Sequence, residues 1–157
     1  MIRPQNCGNT LFADSFAAYN ALNLTMKTFL ENKTATFCYL KTRNLQVEVG
    51  LTEEQIIEGS KCVVHHVITT HPINFKKNIY VNPSHTSYMN EIDSALSDST
   101  LEYLYNHTQS SEFVYEHVWL EDDLVMWDNR QVHHRATGCD SPRMLIRTTV
   151  SMEAPPV

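Results

Sequence analysis

Residues 127–136 read WDNRQVHHRA, and the way they lie decides what the second half of the chain is. The Asp128-Asn129 pair is turn chemistry, and QVHHRAT after it is β-branched and short, so it reads as a strand entered through a turn. Side chains alternate between faces on an extended chain. Val132, His134 and Ala136 therefore share one face, and His133 and Arg135 the other. His134 falls among small apolar neighbours; His133 falls beside a cation expected in solvent. A neutral imidazole in an apolar setting is either a core histidine bonded to backbone or a transition-metal ligand, and the residues alone leave both open.

Reading outward, more strands appear. VVHHVITTH (63–71), KNIYVN (77–82), EFVYEHVWL (112–120), DLVMWDN (123–129) and RMLIRTTVSM (143–152) are short, β-branched and aromatic. Turn residues such as Asn82-Pro83, Asp122-Asp123 and Asp140-Ser141-Pro142 separate them. Helices concentrate earlier. Asp14 can cap a helix through AAYNAL (17–22), and MKTFLEN (26–32) reads as a second after a break at Asn23-Leu24-Thr25. TEEQIIEG (52–59) opens on a capping box of Thr52 and Gln55, with Gly59 at its stop. STLEYLYNH (99–107) repeats the box with Ser99 and Glu102, placing Leu101, Leu104 and Tyr105 on one face. The expectation is one α+β domain over residues 1–157, a sandwich or jelly roll with flanking helices. Only four glycines occur, with no GxGxxG and no phosphate loop, which argues against the common nucleotide-binding folds.

Charge and composition exclude other classes. Twelve Lys and Arg stand against 18 Asp and Glu, a net charge of -6, with no basic cluster to form a nucleic-acid groove. The apolar runs are far shorter than the roughly 20 residues a membrane-spanning helix needs. Met1 is followed by polar IRPQNCGNT and not by a signal core. Cys7, Cys38, Cys62 and Cys139 form no CxxC pair and read as free thiols of a cytoplasmic protein. The sequons at Asn23, Asn32 and Asn106 are then chance matches.

RMLIRTTV carries a second feature. Arg143 and Arg147 are four apart, so on a strand they share a face about 13 Å apart. If that face is solvated they are ordinary surface cations. If it is covered they need anionic partners, because an unpaired buried guanidinium is very costly. Two such groups suit bidentate contacts to two carboxylate-like anions.

LEDDLVMWDNRQVHHRAT (120–137) followed by RMLIRTTV (143–150) resembles the C-terminal signature of the taurine and 2,4-dichlorophenoxyacetate dioxygenases. These are Fe(II)- and 2-oxoglutarate-dependent enzymes built on a double-stranded β-helix, a kind of jelly roll. The family pattern has WDNR, three residues, then the distal iron-ligand histidine. The resemblance implies that role for His134, on the face already favoured. It further implies that Arg143 holds the far carboxylate of 2-oxoglutarate and that Arg147 orients an anionic substrate, a sulfonate or carboxylate. GNTLFADSFAAYNAL (8–22) resembles the stretch whose threonine hydrogen-bonds 2-oxoglutarate, and that role falls on Thr10. HHVITTHP (65–72) and IYVNPSHT (79–86) resemble the segment between. Three departures stand out: a short spacing from His134 to Arg143, Asn9 where the family carries Asp, and Asp122 where it carries Gly.

The family's facial triad needs a second histidine and a carboxylate from an HxD motif upstream of that threonine. Only nine residues precede Thr10, and none of His65, His66, His71, His85, His107, His117, His133 and His134 has an acid two positions on. The expectation is the C-terminal part of a dioxygenase, its jelly roll incomplete, with no complete catalytic set of its own. Iron and 2-oxoglutarate would belong to the intact protein, together with dioxygen and a small organic anion. The rival is a non-catalytic binding module. A zinc site from Cys62, His65 or His66, His134 and Cys139 has no finger or ribbon spacing behind it. Asp128 is expected to fix its turn, His71 and His117 to be structural, and Trp119 and Trp127 to pack in a core.

Overall fold

The computed structural model describes residues 8–38, 52–138 and 145–150. β1 (Thr10–Asp14) runs directly into α1 (Ser15–Ala21). Asp14 makes the switch, its Oδ1 accepting from the Phe16 and Ala17 amides at 3.0 and 2.9 Å. Asn23 caps α2 (Leu24–Leu30) in the same way through the Met26 amide. β2 (Thr34–Cys38), α3 (Glu53–Gly59), β3 (Cys62–His66), β4 (Ile68–Thr70), β5 (Lys77–Ile79) and β6 (Thr86–Met89) follow. α4 (Ser94–Thr108) then precedes β7 (Val114–His117) and β8 (Val132–Ala136). α4 begins before the expected Ser99, because Asp93 caps it through the Leu96 amide. Its expected apolar face holds, with Leu101 and Leu104 buried and Tyr105 packed on the core. The Gln55 side chain of the other expected box lies outside the described residues.

Two three-stranded antiparallel sheets and a hairpin carry the strands, in the orders β7-β1-β8, β3-β2-β6 and β4-β5. β1, β2 and β6 were not anticipated, and they are what assemble the sheets. VVHHVITTH is two strands, not one. Val67 is fully buried between them, and its amide donates to Lys33 O at 2.9 Å, outside either ladder. DLVMWDN forms no strand. Asp122 takes a positive φ of 65°, and the chain from there to β8 is held by turn and side-chain bonds. Residues 145–150 of RMLIRTTVSM are likewise unpaired and exposed.

The core lies where α1, α2 and α4 meet β2, β5 and β6, around Leu22, Leu30, Phe37, Ile79, Met89 and Leu104. The expectation of free thiols fails at two positions. Cys38 and Cys62 face each other in the β2–β3 register, with Cα atoms 4.4 Å apart, and form a disulfide. They lie 24 positions apart in sequence, and sheet pairing alone brings them together. Cys7 and Cys139 lie outside the described residues. Among the described residues no helix is long and apolar enough to cross a membrane.

Candidate functional site

The β7-β1-β8 sheet builds the site by register. Thr10 pairs with His117 on one side and Ala136 on the other; Phe12 pairs with Tyr115 and His134. Directly opposed residues of antiparallel strands project to the same side. Thr10, Phe12, His117, His134 and Ala136 thus share one face, and Ala13 and His133 share the other.

Two aromatic groups dress that face. At one end Trp119 donates its indole N–H to Thr10 Oγ1 at 2.9 Å and meets the His117 ring edge-on at 4.7 Å. His117 Nε2 in turn pairs with Asp123 Oδ2 at 3.1 Å, and the same carboxylate oxygen accepts from the Leu120 amide. Thr10 is buried, and the indole occupies only an acceptor site, so its own O–H stays able to donate toward the face. At the other end Trp127 packs 5.1 Å from Phe12 and 4.9 Å from His134 between ring centroids. The Arg147 guanidinium lies 5.8 Å from the Trp127 ring, a cation–π distance.

His134 is therefore half-buried among rings with a cation close by. Burial, and then the Arg147 charge, push its pKa below the ordinary imidazole value. That favours the neutral ring, the form that coordinates a metal. His133 is more buried than its place beside a cation expected in solvent implies. Its face is turned toward the packed layer, where burial, then His134, push its pKa down to about 4 against a hydrogen bond to the Ile79 backbone. Arg135, its neighbour on that face, is the exposed one, because the strand runs out of the packed layer at its end.

Thr10 and His134 thus share one aromatic-lined face, and Arg147 lies against the Trp127 ring at its His134 end, while Arg143 lies outside the described residues. Among the described residues no group of three His, Cys, Asp or Glu is placed to hold a metal ion. His134 fits as one ligand, and the described residues do not supply the rest. A cleft of about 370 Å³ between α2 and the β4-β5 hairpin is lined by Tyr19, Lys27, Glu31 and His66, and it includes none of Thr10, His134 and Arg147.

Sequence reading missed how the two tryptophans serve the site. Trp119 and Trp127 touch the site residues themselves, one through Thr10 and the other through His134. The signal was there in TLFAD, whose alternation puts Thr10 and Phe12 on one side. Asp128 does fix its turn, as expected, but through more than backbone. Arg130 grips its carboxylate, and His71 Nε2 reaches it at 2.9 Å. The Arg130 hydrogen bond, opposed by burial and aided by His71, holds that carboxyl well below the usual range.

Residues 3–149 match the model of the taurine catabolism dioxygenase TauD, TfdA family. The chain belongs to that family. It is 32% identical over 154 residues to the alpha-ketoglutarate-dependent 2,4-dichlorophenoxyacetate dioxygenase of Cupriavidus pinatubonensis, covering 98% of this chain and 53% of that protein. It is 30% identical to the alpha-ketoglutarate-dependent sulfonate dioxygenase of Saccharomyces cerevisiae, covering 85% of this chain and 32% of that one. The crystal structure of AAD-2 in complex with Mn(II) and N-oxalylglycine superimposes with a TM-score of 0.77 at 33% identity, over 88% of this chain and 54% of AAD-2. A taurine dioxygenase from Burkholderia xenovorans shares the fold at a TM-score of 0.71 and 21% identity. The fold is that of the jelly-roll dioxygenases, whose TauD/TfdA members depend on Fe(II) and 2-oxoglutarate. The chain spans about half or less of the length of these relatives.

Proposed function

We propose that this chain is the C-terminal portion of an Fe(II)- and 2-oxoglutarate-dependent dioxygenase that oxidises a small organic anion, a sulfonate or a carboxylate. The observation that carries the reading is that Thr10 and His134 share one face of the β7-β1-β8 sheet, with Arg147 against the Trp127 ring that packs on His134. The curated relatives' names point to sulfonates and aryloxyacetates as the substrate class.

In this reading His134 is one iron ligand, held neutral by burial and by the Arg147 charge. Thr10 donates its O–H to 2-oxoglutarate, its oxygen oriented by the Trp119 indole. Arg143 binds the far carboxylate of 2-oxoglutarate, and Arg147 attracts the substrate's anionic group. Bound iron would supply the activation of dioxygen coupled to decarboxylation of 2-oxoglutarate. The remaining histidine and carboxylate come from the length of the family enzyme this chain does not span. The same length completes the jelly roll over the exposed sheet face.

The test compares this chain with a protein completed by an upstream HxD-bearing portion, each mixed anaerobically with Fe(II) and 2-oxoglutarate. The visible metal-to-ligand charge-transfer band is expected in the completed protein and not in this chain. It should disappear on His134→Ala and survive His133→Ala. A band that outlives His134→Ala sinks the ligand assignment. The second reading, a binding module without catalysis, rests on the lack of an HxD motif in this sequence. It predicts 2-oxoglutarate binding to the completed protein with no turnover.

A further inference from the structure

We infer that His71 is a positioning residue for the His134 site, acting through Asp128 on the turn that presents Trp127. The inference rests on the reading of His134 as a site residue, and its experiment needs neither iron nor activity.

His71 sits in the β4-β5 hairpin, 57 positions from Asp128, and is 4% exposed. Its backbone is closed on itself, with its amide donating to Lys76 O and its carbonyl accepting from the Phe75 amide. The ring's protonation pattern follows from its partners. Nδ1 accepts from the Ile73 and Asn74 amides, each at 3.2 Å, so it carries no proton. The proton of the neutral ring is therefore on Nε2, which donates to Asp128 Oδ2 at 2.9 Å. A rigid donor reaches from one loop into another.

Asp128 is the hub it reaches. Its carboxylate also takes the Arg130 guanidinium and the Arg130 amide, and its carbonyl accepts from the Gln131 and Val132 amides where β8 begins. A second bond ties the same two loops, from Asn74 Nδ2 to Gln131 Oε1 at 3.0 Å. Arg130 lies within the turn and can shape it only locally. Ser15 of α1 holds the end of the turn through its amide and hydroxyl to Gln131 O, and His71 ties the carboxylate itself to the packed part of the protein. Trp127 precedes Asp128 directly and meets Phe12, His134 and Arg147. Swinging the carboxylate would swing the indole off His134.

Two near-isosteric substitutions separate this role from simple turn capping. Gln can place an amide N–H where Nε2 stands but loses the local acceptor; Asn keeps an acceptor near Nδ1 but cannot reach Asp128. The readouts, on the full chain at fixed pH, are the His134 ring-proton shifts caused by the Trp127 ring current and the exchange rate of the Trp127 indole N–H. Leu104 methyl signals report whether the fold persists. We expect His71→Asn to move the His134 ring protons toward unstacked positions. Trp127 exchange should speed roughly tenfold or more, as losing a hydrogen bond to a charged group implies. His71→Gln should restore both, and Asp128→Asn should mimic His71→Asn. If Asn preserves the signature and Gln destroys it, His71 is only a turn cap and the inference falls. It falls equally if both variants leave the signature unchanged, or if His71→Asn disperses the Leu104 signals as well.

Discussion

The two ends of this molecule bury their apolar residues very differently. Around α1, α4 and β5, Ala18, Ile79 and Leu104 are fully excluded from water. Around the site sheet, Leu124 is 92% exposed, Met126 89% and Ile146 92%. The first region is held by close packing of apolar groups, where each fully buried large side chain contributes about 1.5–3 kcal/mol. The second is held by directional contacts: Asp123 on His117 and the Leu120 amide, Asp128 on Arg130 and His71, indoles on Thr10 and Asn129. Hydrophobic burial is non-directional, so it makes a stable layer and leaves the positions of polar groups loosely set. Hydrogen bonds set them. The part of the chain that would meet ligands is organised by the second kind of force.

The contrast breaks first if the packed side fails to behave as a core. Leu104→Ala should lower unfolding free energy by about 2–5 kcal/mol, the range for cavities left by buried leucines. Urea denaturation followed by circular dichroism measures it. A loss below 1 kcal/mol, on the order of a surface change, would mean that α4 is not seated as described.

Much of the packed side could be read from the sequence. Asp14 is a short polar cap before an apolar helix, and Leu101, Leu104 and Tyr105 recur at helical spacing; Asn23 was read as part of a break, whereas it caps α2 two residues before the expected start. Local chemistry decides those features. That His133 and His134 take opposite faces was legible too, since alternation needs only neighbouring residues, but which face meets the packed layer was not, because His133 is the more buried. The disulfide was not: Cys38 and Cys62 are joined by strand register, which depends on which strands pair. The same holds for the pairing of β1, β2 and β6, which depends on partners far along the chain. DLVMWDN fails for the opposite reason. It has strand composition, but polar clamps at Asp123 and Asp128 hold it out of a ladder. His71 is structural, as expected, buried and hydrogen-bonded, but its partner Asp128 lies 57 positions on and could not be read locally.

The disulfide sharpens the comparison on the packed side. Closing a loop between residues 24 positions apart should contribute about 3 kcal/mol in the chain-entropy account. Cys38→Ser with Cys62→Ser, or reduction of the wild type, should lower the thermal midpoint. The reduced wild type and the double variant should then melt together. A midpoint indifferent to reductant would show that the pairing does not constrain the chain.

On the site side the expected effects are smaller and depend on pH. The Asp128 carboxyl is held below its unfolded value, about 3.9 for a free aspartate, chiefly by its hydrogen bond to Arg130. Its contribution is therefore present above the unfolded pKa and lost as pH falls toward the folded one. Asp128→Asn should cost about 1 kcal/mol at pH 7, since the ion pair is part-exposed and screened. The difference between variant and wild type should shrink as pH drops below 4. Unfolding curves at pH 7, 4 and 3 test this. A difference that grows with acid would put the wrong sign on the Asp128 shift.

Leu124 gives the smallest effect and the cleanest contrast with Leu104, because the two are the same side chain in opposite settings. A leucine that is already 92% exposed has little transfer free energy left to lose on unfolding. Leu124→Ser should shift stability by less than about 0.5 kcal/mol, as surface substitutions do. If it instead destabilises the chain on the scale of Leu104→Ala, residues 118–131 are packed against something in solution. The site face would then be covered by contact and not set by its clamps. A near-zero value beside a large one at Leu104 would show that the chain spends its packing on one side and its hydrogen bonds on the other.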